Sequence, residues 1–136
     1  RSRASVVVVA AAAKSDAVEL PPSTWDPRET RAAFSGDEGG ELTAFMRAAS
    51  RRLGGTATRF IVIGDGGILE SVHPWPKEPH FSDLGPAKGT CCTLASEDKN
   101  FEAHLMLAKV REVVLASSER GGRKIYAVRF FGDVAA

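Results

Sequence analysis

A histidine within an apolar run offers the clearest chemistry in the chain. His104 belongs to the segment 101–107, FEAHLML. Alternate side chains of a strand point to opposite faces, so Glu102, His104 and Met106 would share one face. Neutral imidazole is a common ligand of transition metals and haem iron, but a single strand histidine is also commonly a hydrogen-bonded structural residue. The residue types therefore leave a ligand and a structural role open for His104.

The other residues capable of chemistry form no recognisable catalytic motif. Cys91 and Cys92 are adjacent, which does not suit a disulfide framework and indicates a reducing compartment. On a strand they would point to opposite faces, which favours a structural role over soft-metal binding. His73 and His80 lie in a proline-rich segment at a spacing without a metal signature. The sequence contains none of four common motifs: nucleophile elbow, Walker loop, dinucleotide fingerprint and Cys-x-x-Cys. Most hydrolase and nucleotide-binding functions therefore have no support.

The composition is that of one globular domain. The chain has 136 residues, of which 43% are hydrophobic and 26% charged, and its net charge is +1. Such a balance gives no electrostatic reason to expect nucleic-acid binding. The longest apolar run, Val6 to Ala13, is far shorter than the ~20 residues that a membrane-spanning helix needs. We therefore predict neither a nucleic-acid partner nor a membrane span.

The first fifteen residues have the composition of an organelle-targeting sequence. They include Arg1, Arg3 and Lys14 but no acidic residue, and most of the others are Ala, Val and Ser. We predict a flexible tail over residues 1–19, with the composition of the end of a targeting sequence, and a single α+β domain over 20–136. The predicted location is an organelle, a plastid in preference to a mitochondrion, and otherwise the cytoplasm. A strand at Val6 to Val9 is the alternative for the tail.

The pattern of the domain predicts helices followed by hairpins. Asp26 as N-cap and Pro27 as first helical residue predict a short helix to about Phe34. Apolar residues at helical spacing predict a second helix from Glu41 to Leu53. This order favours an α+β fold in which N-terminal helices precede an antiparallel β meander. The predicted strands are 58–63, 68–72, 90–95, 101–108, 111–117 and 124–131, with a long aromatic loop at 73–88.

Several segments, taken in order, carry a family resemblance over most of residues 42–132. They are RFIVI at 59–63, ILE at 68–70, His80-Phe81, FEAHL at 101–105 and RFFG at 129–132. Their order resembles the cytosolic haem-utilisation carriers of the HutX/ChuX type and the related HemS proteins. The resemblance implies a β-rich fold with flanking helices, often a homodimer, that binds haem and passes it on.

The resemblance also assigns candidate site residues. His104 matches the strand histidine that these carriers associate with haem ligation, and His80 falls near their loop histidines. By residue type, Met106 and Phe81 would pack against the porphyrin. A basic residue, Arg129 or Lys109, would pair with a propionate. The alternative for Arg129 is a solvated strand residue without a ligand.

Two departures from the carriers bear on the expected function. The loop has one histidine, His80, where the carriers commonly have several, and the chain ends at Ala136 without the strand and helix that usually follow the Phe-Phe strand. The first expectation is a non-enzymatic protein that binds and transports haem or another porphyrin. Because a fold can persist without its site, the alternative is a structural or assembly subunit of a larger organellar complex. Oxidative haem degradation ranks last, since no distal catalytic group can be named.

Overall fold

The chain forms two antiparallel sheets and one α-helix over the residues that the structure, a computed structural model, describes: 3–10, 29–63, 66–120 and 123–133. One-turn 3-10 helices occur at Glu38–Gly40 and Leu107–Lys109. The elements in chain order are β1 (Arg3–Ala10), β2 (Glu29–Ala33), α1 (Glu41–Leu53), β3 (Ala57–Ile63), β4 (Ile68–Pro74), β5 (His80–Asp83), β6 (Thr90–Ala95), β7 (Glu102–Met106), β8 (Val110–Arg120) and β9 (Arg123–Asp133).

The strands divide into a large and a small sheet. The large sheet has the order β2-β8-β9-β1-β3-β4, and the small sheet has the order β5-β6-β7. Neighbouring strands are antiparallel throughout, which confirms the predicted α+β class with antiparallel pairing, but the strand order of the large sheet is not the predicted meander. The small sheet consists of strands that are consecutive in the chain. The pairing register of this sheet decides which side chains of β5, β6 and β7 lie next to each other.

The N-terminal third differs from the prediction. Arg3–Ala10 is not a flexible tail but a strand that pairs with both β3 and β9. Its four valines, Val6 to Val9, are β-branched and suit an interior strand. The predicted helix is wrong over Glu29–Ala33, which pairs with β8 instead. A short isolated helix is marginal, so pairing along a long strand outweighs a local capping signal. Residues 11–28, including Asp26 and Pro27, lie outside the described ranges.

The middle of the chain agrees better with its sequence pattern. α1 has the predicted bounds, Glu41–Leu53, and buries its predicted apolar stripe. The predicted hairpin of β3 and β4 is also confirmed. The predicted loop at 73–88 is wrong in part, because β4 extends to Pro74 and His80–Asp83 forms β5. In the part of the chain that the structure describes, no helix has the length and apolar character required to cross a membrane.

The core brings together residues of α1, the large sheet and the small sheet. Phe60 lies at its centre, with ring centroids 5.8 Å from Trp75 and 4.5 Å from Phe101. Trp75 is 1% exposed, and its indole N–H donates to the buried Ser50 hydroxyl at 2.9 Å. Trp75 begins the segment between the two sheets, so these contacts hold that segment against the core. Other core residues are Leu42, Met46, Leu53, Cys92, Leu94, Leu107, Val110, Val113, Val128 and Phe130.

Burial of Cys92 predicts a pH-dependent stability. Burial raises the pKa of the Cys92 thiol from 9.0 to about 12. Above pH 9 the unfolded state releases this proton whereas the folded state keeps it, so the free energy of unfolding falls as pH rises from 9 towards 12. Urea denaturation across this range is expected to show a steeper loss for the wild type than for Cys92→Ala. An identical pH dependence in the two proteins would contradict the prediction.

Candidate functional site

The outer face of the small sheet, away from the core, carries a row of two histidines and a threonine. His80 pairs with Thr93 across β5 and β6, and Thr93 pairs with His104 across β6 and β7. Paired residues point to the same face, so the imidazoles flank the Thr93 hydroxyl. Two strand spacings of about 4.8 Å separate the histidine backbones by about 10 Å.

A second row lies beside the first on this face. Ser82, Cys91 and Met106 are paired across the same three strands. Two-residue alternation places this row next to the histidines, so hydroxyl, thiol, thioether and imidazole groups share one surface. The opposite face of the small sheet packs into the core with Phe81, Cys92, Leu94, Ala103 and Leu105.

His104 is held through one ring nitrogen. Its Nδ1 lies 2.8 Å from the Thr93 Oγ1 and 3.9 Å from the Cys91 Sγ, while Nε2 lies 3.9 Å from a carboxylate oxygen of Glu102. The His104 side chain is 50% exposed. When Nδ1 carries the proton and donates to Thr93, the lone pair is on Nε2. An oriented, accessible imidazole of this kind can ligate a metal.

An open cleft of about 1220 Å³ collects all three histidines of the chain. His80 and His104 come from the small sheet and His73 from β4. The His73 ring stacks on Phe101, with centroids 4.3 Å apart, and its Nε2 lies 2.6 Å from the Ser71 hydroxyl. The rest of the lining includes Pro74, Trp75 and Pro76, the cations Lys77 and Lys99, and the carboxylates Glu78, Glu97, Asp98 and Glu102.

The turn after β6 fixes one of these carboxylates. Ser96 donates its hydroxyl to Asp98 at 2.6 Å, and the backbone N–H of Asn100 donates to the same oxygen at 3.0 Å. These hydrogen bonds, the one from Ser96 foremost, lower the pKa of Asp98. Asp98 is therefore a fixed negative charge at the edge of the cleft at neutral pH.

The structure brings together three of the five predicted site residues. The outer face of the small sheet carries His104, His80 and Met106. Strand alternation in the FEAHLML run predicts this shared face for His104 and Met106. Phe81 lies on the opposite face of β5 and packs at the core, with the Arg47 guanidinium 4.6 Å from its ring centroid. Phe81, predicted to pack against the porphyrin, therefore faces away from the surface that carries His80 and His104, because strand alternation turns it to the other side of β5.

The predicted cations are also elsewhere. Arg129 is exposed on β9 of the large sheet, paired with Val114 of β8, and does not line the cleft. Lys109, in the turn before β8, does not line it either. Lys77 and Lys99 take their place. Lys77 and Lys99 lie in segments that border the cleft. The sequence pattern does not predict that these segments line a binding site.

Sequence reasoning missed Thr93 and the contribution of His73. A polar β-branched residue within the apolar strand TCCTLA was the available signal for Thr93. Within the described ranges, no group of three or more His, Cys, Asp and Glu side chains is placed to hold a metal ion. A site built on these ligand types alone is therefore not preformed there.

Comparison with known proteins gives no relative of this chain. No protein-family model, no curated protein and no solved structure matches it. The resemblance to the haem carriers accordingly stays a prediction, and functional inference depends on the geometry of the cleft.

Proposed function

We propose that the protein binds haem or a related metal tetrapyrrole without catalysis, with His104 Nε2 as the atom that would ligate the metal. The observation that carries this proposal is the half-exposed imidazole that lines the cleft and is held at Nδ1 by Thr93. When bound, the iron supplies the Lewis acid that the imidazole ligates.

Thr93 gives His104 the support that a metal ligand requires. Ligating histidines almost always use their second ring nitrogen in a hydrogen bond, which fixes the tautomer and the ring orientation. Thr93 lies on the central strand of the small sheet, between the strands that carry His80 and His104. His80 would approach the ligand from the same row.

The cleft has room for a large, flat ligand, and its lining carries two lysines beside four carboxylates. Its volume of about 1220 Å³ exceeds the ~300–1,000 Å³ of common small-molecule pockets. Pro74 and Pro76 add apolar groups to the lining, whereas the Trp75 side chain is 1% exposed and stays in the core. Lys77 and Lys99 are cations of the kind that pair with propionate carboxylates. An open cleft also suits a protein that takes up a ligand and releases it, which favours trafficking.

Hemin titration tests the proposal. We expect a shifted Soret band that saturates at one equivalent, and about 10-fold weaker binding in Thr93→Val, which removes the Nδ1 partner. Ser82→Ala is the matched control, since it removes a hydroxyl from the same face that does not contact His104. Binding that never saturates, or an unshifted Soret band, would contradict the proposal.

A second candidate, an assembly subunit, is favoured by the exposed edge of the large sheet. β4 is an end strand, and no other strand in the described ranges pairs with its outer side. Ile68, Leu69 and Val72 are 66%, 72% and 56% exposed. Its one charged residue, Glu70, already faces Arg59 at 3.9 Å. An apolar edge strand without protective charges is a template for pairing with another chain.

A second copy of this chain is the partner we infer for β4. Two copies of one strand can pair antiparallel about a two-fold axis, and Arg59, 3.9 Å from Glu70, offsets part of the like-charge repulsion between the two glutamates. Analytical ultracentrifugation is expected to give a dimer that Val72→Lys dissociates. Leu84→Lys, which places the same charge at an exposed leucine outside β4, should stay dimeric. A monomeric wild type would contradict pairing through β4, whereas a dimer alone does not separate this candidate from haem transport, because the carriers that the chain resembles are often homodimers.

A further inference from the structure

Beyond tetrapyrrole binding, we propose that Cys91, His104 and Met106 form a binding site for monovalent copper. The starting observation is the 3.9 Å separation between the Cys91 Sγ and the His104 Nδ1. With bonds as long as those of zinc, about 2.3 Å to sulfur and 2.0–2.1 Å to nitrogen, an angle of about 120–130° at the ion places the two donor atoms about 3.8–3.9 Å apart. The thiol and the imidazole are thus already at the spacing of two ligands of one ion.

Met106 supplies the third donor. It pairs directly with Cys91 across β6 and β7, so the two side chains lie on one face with Cβ atoms about 4.5–5.5 Å apart. It is also two residues from His104 on β7, on the same face. Its side chain is flexible, and 36% exposure leaves it room to move towards Cys91.

The ligand types select the ion. Thiolate and thioether are soft donors that favour Cu(I), which accepts three ligands. Zinc normally requires four nitrogen, sulfur or oxygen ligands, and the described residues gather no three His, Cys, Asp or Glu side chains for it. Cys92 cannot replace Cys91, because it faces the core on the other side of β6. A thiolate with a monovalent cation is also neutral, which suits Cys91 at 5% exposure.

Thr93 gives up its hydrogen bond with His104 when copper binds, because Nδ1 cannot hold the hydroxyl and the ion together and the imidazole must turn towards the Cys91 sulfur. The Thr93 hydroxyl lies 2.8 Å from the His104 Nδ1 and 3.9 Å from the Cys91 Sγ. When Nδ1 ligates copper, the hydroxyl hydrogen is free to turn towards the thiolate. One residue therefore orients His104 in the copper-free state and hydrogen-bonds the sulfur in the copper-bound state.

Anaerobic competition for Cu(I) against a chromophoric chelator tests the site. We expect one equivalent bound by the wild type, at least about 100-fold weaker binding in Cys91→Ser, and about 10-fold weaker binding in Met106→Leu. Met106→Leu conserves volume at a partly exposed position and should fold normally. Cys92→Ala is the matched control and should keep the full equivalent. X-ray absorption should show two sulfur neighbours in the wild type and one in Met106→Leu.

Two outcomes would overturn the copper site: no competition by the wild type, or full retention by Cys91→Ser. Hemin titration of the same variants separates this inference from the proposed function. Cys91→Ser and Met106→Leu should keep an iron-bound imidazole and its Soret shift, whereas His104→Ala should lose both ligands. Failure of copper binding with intact hemin binding refutes the copper site alone.

Discussion

His104→Ala is expected to weaken hemin binding by about 100-fold, equivalent to about 2.7 kcal/mol. The substitution removes the half-exposed imidazole that Thr93 orients within the row of His80, Thr93 and His104. The side chain lies on the outer face of β7, so its loss should leave the core intact. Parallel titrations of the variant and the wild type, followed at the Soret band, measure the effect.

His73→Ala is the matched control for that substitution. His73 lines the same cleft, but its Nε2 lies 2.6 Å from the Ser71 hydroxyl and its ring stacks on Phe101. We expect this variant to keep the shifted Soret band. Equal losses in the two variants would mean that the shape of the cleft, and not ligation by His104, determines binding.

Trp75→Ala is expected to lower the free energy of unfolding by about 3–5 kcal/mol. Trp75 is 1% exposed and stacks on Phe60, so its removal creates a cavity where the two sheets and α1 meet. Urea denaturation measures the loss. Since Trp75 also lines the cleft, hemin binding should weaken with it.

Ser50→Ala separates packing from hydrogen bonding at this position. It leaves the indole N–H without its buried partner but keeps the ring, so a smaller cost of about 1–3 kcal/mol is expected. A loss below 1 kcal/mol in Trp75→Ala would contradict the central place of this residue in the core.

Strong local periodicity explains the parts of the fold that the sequence predicts. α1 carries a full apolar stripe and ends at a glycine pair, and β3 and β4 are apolar runs separated by a few turn residues. β2 and β5 have only five and four residues, too few for a pattern. Their conformation comes from pairing: β2 pairs with β8, far along the chain, and β5 pairs with β6, the next strand.

The candidate site also has one part that the sequence predicts and one part that it does not. Strand alternation is local, so the face shared by Glu102, His104 and Met106 could be predicted. Register between strands is not local, and it is register that sets Thr93 between the two histidines. The prolines of residues 73–88 predict a loop, and a loop assigns Phe81 to neither face of a sheet. Once β5 is a strand, His80 and Phe81 must point to opposite faces.

The most direct test of the central claim is the absorption spectrum of ferric hemin bound to His104→Gly, recorded before and after addition of imidazole. The glycine leaves space for free imidazole where the side chain stood. We predict that the variant alone lacks the wild-type Soret shift and that imidazole restores it. A variant whose spectrum already equals that of the wild type, or one that imidazole leaves unchanged, would contradict ligation by His104.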